Sequence, residues 1–257
     1  MDGASIEEAE KELEKAGLQG IFTVEEDAVG EIFIGGYSKK KIGVKKIALS
    51  LLAEEKNESQ VDWESQWELF AQDFKEGRAH IDLSPFGVDK TLLLTPGAGF
   101  GDLSHPTTYL MLEMMRGRIA GKSVVDIGSG SGILTLAACL LGAESAVGVE
   151  IDGAAIAHAK ENAKINGLDA RASFGKKIGK RKNCVFLMNM IFPEQKAFNP
   201  EKLNKQAELW IVSGLLAEQK REYLQQAKEW GWSPVSEHSK LDWLGWVFEP
   251  TYTAPFI

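Results

Sequence analysis

Cysteine is scarce in this 257-residue chain, which has only Cys139 and Cys184, together with four histidines. Neither cysteine has a partner at metal-ligand spacing, so no metal centre is expected and both read as buried thiols. Long apolar runs are missing as well. No stretch approaches the ~20 residues that would cross a bilayer, and residues 1–15 are acidic with a helical pattern, where a secretory leader would be basic and then apolar. These absences predict a cytoplasmic protein without membrane attachment. Positive charge is in deficit, with 29 Lys and Arg against 37 Asp and Glu and a net charge of -8. General nucleic-acid binding is thereby disfavoured, because it depends on neutralising phosphates. The local exception is 176–182, KKIGKRK, where Lys176, Lys177, Lys180, Arg181 and Lys182 crowd together. A solvated loop accounts for that run, and a loop that touches RNA is the sharper alternative. There is no internal repeat and no low-complexity segment.

What is present suits a folded α/β protein. With 44% hydrophobic and 26% charged residues the chain can bury a proper core, and its length suggests one large domain and one small one. Ser5 and Glu8 form a capping box for a helix over 5–16, with Ile6, Ala9, Leu13 and Ala16 on one face. Apolar runs at 20–25 and 29–35 predict a hairpin, and 44–52 has helical spacing, so a small α-β-β-α layer of ferredoxin-like character is expected. A linker follows near 57–62. Trp63, Trp67, Phe70 and Phe74 then lie on one helical face over 61–74, more naturally domain packing than a ligand platform. Strands are expected at 78–83 and 90–94, joined through Pro85 and Gly87, and a helix over 107–118 should lead into the strand at Ser123. Further along, the patterns predict a helix over 153–165, a buried parallel strand over 185–190, a strand at 209–212, a helix over 218–230 and a terminal strand pair at 233–237 and 243–249. Trp230, Trp232, Trp243 and Trp246 would pack on that pair. His80, His158 and His238 receive only a structural reading.

The stretch 124–152 carries the chemistry. A β-branched run from Ser123 to Ile127 turns through Gly128, Gly130 and Gly132 into a helix from Ile133, and a second strand at 146–149 ends in Glu150. Strand, glycine turn, helix, strand and a carboxylate about 20 residues on make a nucleoside site, because glycines admit close backbone approach and the carboxylate can accept both ribose hydroxyls. The glycines run G-x-G-x-G, led by Asp126, whereas a dinucleotide fingerprint is G-x-G-x-x-G with the last glycine placed for helix packing against a pyrophosphate site. This spacing disfavours a nicotinamide-dependent oxidoreductase. It resembles the first motif of the class I S-adenosyl-L-methionine-dependent methyltransferases. Asn189 ends the 185–190 strand on the rim shared by Gly128 and Glu150, where open α/β sheets bind ligands; an Asn that caps the turn before Pro193 is the bland alternative. His105 lies where the Gly- and Pro-rich loop of 95–109 becomes helix, and reads either as a hydrogen-bonder that fixes the loop or as a proton acceptor.

In their order, DWESQW, PGAGFGDLSHPTT, DIGSGSGILTLAA, NMI and SGLLAEQ across 61–219 resemble the methyltransferases of large-subunit ribosomal protein eleven (L-eleven). The resemblance implies a Rossmann-like seven-stranded class I methyltransferase domain over 77–257, its last strand antiparallel. It also implies a linker with the aromatic helix at 58–76 and a ferredoxin-like N-terminal domain over 1–57 that recognises the ribosomal protein, free or in the ribosome. S-adenosyl-L-methionine would contact Thr108, Asp126, Gly128, Gly130, Glu150 and Asn189. Asn189 and the loop at His105 would line the methyl-transfer position, and the modified groups would be lysine and N-terminal amines. The protein is expected to be a monomer, with RNA contact only incidental. The sequence departs from the family at 102–104, where Asp102-Leu103-Ser104 replaces T-G-T, at Glu150, where Asp is usual, and at its beginning, where a first strand is missing. Two alternatives stay open: another substrate for a class I methyltransferase (protein, RNA or small molecule), and a noncatalytic cofactor-binding module.

Overall fold

A computed structural model describes the backbone of residues 19–26 and 31–37 and, with side chains, residues 73–98, 101 and 105–251. The helices expected over 5–16 and 44–52, the linker at 57–62, the aromatic side chains Trp63, Trp67 and Phe70, and the loop at 102–104 lie outside the described residues. The chain divides into two units, Met1–Val61 and Asp62–Ile257. In the first, β1 (Gln19–Glu26) and β2 (Glu31–Tyr37) pair antiparallel with Glu26 opposite Glu31. The expected hairpin is present, with its second strand shifted toward the C-terminus.

The second unit begins with a three-stranded antiparallel sheet of β3 (Phe74–Lys75), β4 (Arg78–Asp82) and β5 (Thr91–Leu94). Alternation turns Ala79, Ile81, Leu92 and Leu94 inward, all fully or almost fully buried. Phe74 is a correction to the helical stripe. It is a strand residue, because Glu76 and Gly77 both adopt positive φ, 54° and 71°, and make the two-residue hairpin turn that pairs Lys75 with Arg78. Helix α1 (Pro106–Met115) starts with proline in its first turn and is shorter than the expected 107–118.

A seven-stranded sheet follows. Its strands are β6 (Ser123–Ile127), β7 (Ser145–Val149), β8 (Ala172–Gly175), β9 (Cys184–Asn189), β10 (Ala207–Leu216), β11 (Trp232–Lys240) and β12 (Trp243–Pro250), and its order is β11-β12-β10-β9-β6-β7-β8. β12 runs antiparallel to both neighbours, while the pairings from β10 through β8 are parallel. Helices α2 (Ile133–Leu140) and α3 (Gly153–Ile165) are the crossovers after β6 and β7. Helices α4 (Phe192–Phe198) and α5 (Lys220–Glu229) follow β9 and β10. Chain order reverses on either side of β6, the point at which doubly wound sheets open a ligand crevice beyond the strand ends.

The sheet separates two apolar layers. Val124, Val185, Leu187, Ile211 and Val247 face α1, α2 and α3. Val125, Ile127, Phe186, Met188, Trp210, Val212, Trp246 and Phe248 face Tyr223 of α5, with Trp230 and Trp232 in the same layer. Three of the four tryptophans expected on the terminal strand pair are therefore core residues. Such rings bury ~150–250 Å² each and dominate core energetics. Trp243 is only half-buried. Cys139 and Cys184 are free and buried, as expected.

Candidate functional site

The turn after β6 is built from backbone. Gly128 and Ser129 donate their amides to Val149 O at 2.8 and 3.2 Å, which ties the turn to the end of β7. Gly128, Gly130 and Gly132 have φ of 71°, 50° and 85°, a region that strains side-chain-bearing residues. Space reinforces the choice at two of them. A Cβ on Gly128 would lie 3.0 Å from Met190 Cγ and Sδ, and one on Gly132 would lie 2.9 Å from Phe174 Cζ. Gly132 stands at the N-cap of α2 without a capping side chain, and the Ser131 hydroxyl accepts the Ile133 amide at 3.4 Å.

Glu150, just past β7, reaches back across this turn. Its Oε2 accepts the Gly130 amide at 3.2 Å, and its Oε1 accepts those of Ile151 and Asp152 at 2.7 and 3.1 Å. The carboxylate is thus oriented by three donors at the sheet rim. Ile151 beside it is 85% exposed.

Asp126 lies one step below the turn and is buried. Thr135 of α2 donates its hydroxyl to Asp126 Oδ2 at 2.7 Å, while Oδ1 has no partner. Burial pushes its pKa up to about 7, against the lowering effect of the Thr135 bond and with a smaller push from the Glu150 charge. Asn189 closes β9. Ile127 pairs with Met188, which sets Asn189 level with Gly128, and strand alternation puts it on the face of Val185 and Leu187, the one that α1 covers. The N-cap of α4 is Ile191, so Asn189 does not cap that helix.

Thr108, on the buried side of α1, has a fully buried hydroxyl without a partner. His105 caps that helix: its Nδ1 meets Thr107 Oγ1 at 2.7 Å and accepts the Thr107 amide at 3.3 Å. The imidazole lies edge-on to Trp243, centroids 4.9 Å apart. Trp243 pairs with Leu216 at the rim end of β10, so His105 stands at the same edge of the sheet. Glu150 and Gly130 touch, and Gly128 and Asn189 share a level. Asp126, Thr108 and Asn189 belong to the α1-α2 side.

Residues that the sequence did not single out complete the surroundings. Gln195 of α4, fully buried, donates Nε2 to Met190 O at 2.6 Å and Ser213 O at 2.9 Å, and accepts the Tyr223 hydroxyl at 2.7 Å. It thereby joins the ends of β9 and β10 behind Asn189. The Ser131 hydroxyl donates to Gly101 O at 2.6 Å, linking the turn to the preceding loop. His158 has the structural place expected of it: its Nε2 donates to Thr95 O at 2.7 Å. Among the described residues no group of His, Cys, Asp and Glu could hold a metal, and no helix is long and apolar enough to cross a membrane.

The donor set fits a polar nucleoside ligand without phosphate. Two polar atoms at the site, Thr108 Oγ1 and Asp126 Oδ1, are buried without partners, and the Glu150 carboxylate on the Gly130 amide would repel a pyrophosphate at the position where a dinucleotide site receives one.

A profile of the family described as "Ribosomal protein L11 methyltransferase (PrmA)" matches residues 2–250. The ribosomal protein L11 methyltransferase of Pseudomonas aeruginosa (strain LESB58) is 38% identical over 174 residues, which is 63% of this chain and 58% of the relative. That of Pseudomonas paraeruginosa is 35% identical over 204 residues, covering 70% and 69%. The chain thus spans about 58% of the length of the first of these relatives. Among solved structures, a ribosomal protein L11 methylase from Lactobacillus delbrueckii subsp. bulgaricus superposes with a TM-score of 0.58 at 25% identity, covering 64% of this chain and 87% of that one.

Proposed function

Because the chain belongs to the ribosomal protein L11 methyltransferase family, we propose that it is an S-adenosyl-L-methionine-dependent N-methyltransferase acting on lysine and N-terminal amines of ribosomal protein L11. The observation that carries this reading is the meeting of Glu150 Oε2 with the Gly130 amide, 3.2 Å apart. It sets a hydroxyl-accepting carboxylate beside the glycine turn, with Asn189 on the neighbouring strand end. Gly128 and Gly130 would admit the cofactor, Glu150 would take its ribose, and Thr108 and Asp126 would supply polar contacts on the α1-α2 side.

When bound, S-adenosyl-L-methionine supplies a methyl group on a sulfonium, an electrophile open to in-line attack by a neutral amine. The residues of the chain have to present that amine uncharged and aligned. A free lysine, with a pKa of ~10.4, is almost wholly protonated at neutral pH, so the rim must favour the neutral form by desolvation and hydrogen bonding. The Asn189 amide oxygen is the group for orienting an amine N–H, and alignment of this kind supplies much of the rate. His105 has its Nδ1 committed to Thr107, which supports a wall-forming role beside Trp243 over proton acceptance through that atom.

The same reading makes the protein a cytoplasmic monomer, with domain bounds of 1–57, 58–76 and 77–257 and with its N-terminal unit engaging L11. Exposed Lys176, Lys177, Lys180 and Lys182 support an incidental contact with ribosomal RNA. The decisive experiment incubates the protein with labelled S-adenosyl-L-methionine and undermethylated ribosomes, followed by mass spectrometry of the labelled species. Label on amines of L11 is expected. Label confined to RNA would overturn the substrate.

A further inference from the structure

Helix α3 and its C-cap carry His158, Asn162 and Asn166 at four-residue spacing, and each takes hold of one extended segment. Asn166 Oδ1 accepts the Leu93 amide at 2.9 Å while its Nδ2 donates to Leu93 O at 2.7 Å, so one side-chain amide pairs with a residue as a neighbouring strand would. Asn162 Oδ1 accepts the amide and the hydroxyl of Thr95 at 3.0 and 2.9 Å. His158 Nε2 donates to Thr95 O, and its ring fills the space that a Cβ on Gly97 would need. Burial holds His158 below its ordinary pKa, and the Nε2 proton points at that carbonyl.

The geometry is a match of repeats. Four helical residues advance about 6 Å, and two extended residues advance about 6.6 Å. A helical row at every fourth position therefore meets alternate residues of a strand, here Leu93, Thr95 and Gly97.

Asn162 is also bonded to the glycine turn. Its Nδ2 donates at 2.9 Å to the carbonyl of Ser131, inside the glycine turn. The Thr95 amide requires an oxygen and the Ser131 carbonyl requires an N–H, so the two partners fix the orientation of this fully buried amide. We propose that Asn162 is a positioning residue that locks the register of residues 93–97 to the glycine turn, so that the cofactor turn and the loop after Thr95 hold one relative placement. Asn166 holds the same segment, and its other described bond goes to Asn162 O at 2.7 Å within the helix end. The consequence for ligand binding rests on the cofactor site proposed above.

Asn162→Ala and Asn166→Ala each delete a buried, hydrogen-bonded amide, and both should lower the melting temperature of the full chain. Only Asn162→Ala should accelerate hydrogen exchange of the amides over 128–132, measured by mass spectrometry without ligand, by tenfold or more. It should also weaken S-adenosylhomocysteine in calorimetric titration by at least tenfold, while Asn166→Ala changes either quantity less than twofold. Equal effects of the two variants on the turn, or none from either, would overturn the proposal. Wild-type protein that does not bind S-adenosylhomocysteine would remove the methyltransferase reading alone, because ligand-free exchange still decides the role of Asn162. Should Asn162→Ala fail to fold, Asn162→Asp keeps an oxygen for Thr95, loses the N–H for Ser131, and is judged by the same thresholds.

Discussion

Glu150 Oε2 accepts the backbone amide of Gly130 at 3.2 Å, so the acid after β7 and the middle glycine of the turn are in direct contact. Two further amides, of Ile151 and Asp152, hold the carboxylate there. A ribose approaching this rim would meet an oriented acceptor.

Replacing Glu150 by Ala should therefore weaken S-adenosylhomocysteine by at least tenfold, about 1.4 kcal/mol, with little change in fold content by circular dichroism. Calorimetric titration checks it. Affinity within twofold of wild type would remove Glu150 from the cofactor site.

Asp126 should make stability depend on pH. Burial raises its folded pKa to about 7 from an ordinary 3.8, so between these values the native state keeps a proton that the unfolded chain has released. Stability from this group is complete below the unfolded value, falls as pH rises toward 7 and levels off above it. Asp126→Asn should abolish the slope and leave the protein more stable than wild type at pH 8, by on the order of 3 kcal/mol. Melting curves from pH 4.5 to 8 would show the two proteins diverging; parallel curves would count against it.

The Gln195 clamp behind Asn189 supplies a third outcome. Tyr223→Phe leaves Gln195 Oε1 without the hydroxyl it accepts at 2.7 Å, and an unsatisfied buried acceptor costs about 1–3 kcal/mol. Urea unfolding should register that loss.

Asn189→Ala should lower the methylation rate at saturating cofactor by about tenfold or more, the range in which a mispositioned reactant acts. Full-rate methylation by this variant would exclude Asn189 from amine orientation.

The βαβ unit around the turn was legible in the sequence because its three signals agree: a β-branched run, glycines where φ must be positive, and helical spacing from Ile133. β8 was not. Its four residues, ASFG, have no β-branched member, and its register with β7 exists only once Phe174 covers Gly132 and Gly148. α4 escaped because Pro193 reads as a breaker, although proline is at home in the first helical turn. β10 runs on through Ser213-Gly214, where sequence suggests an end, because Gly214 at φ 91° lets the strand pass close to Met190 O. At the site, the residues on the turn and strand ends could be placed from local pattern. Asn162 and Gln195 could not, since they are fixed by partners remote in sequence, Thr95 and Ser131 for the one and Ser213 and Tyr223 for the other. The one local trace was the spacing of His158, Asn162 and Asn166 on a helix whose other inward residues are Ala and Ile.

The reversed direction of β12 has a consequence for the order in which the protein is made. Because this strand runs against its neighbours, Trp243 stands at the rim beside His105, although it is synthesised more than 100 residues after the glycine turn. A nascent chain that has released the glycine turn and both crossover helices still lacks that wall. Assembly of the rim thus waits for the β11–β12 hairpin to leave the ribosome.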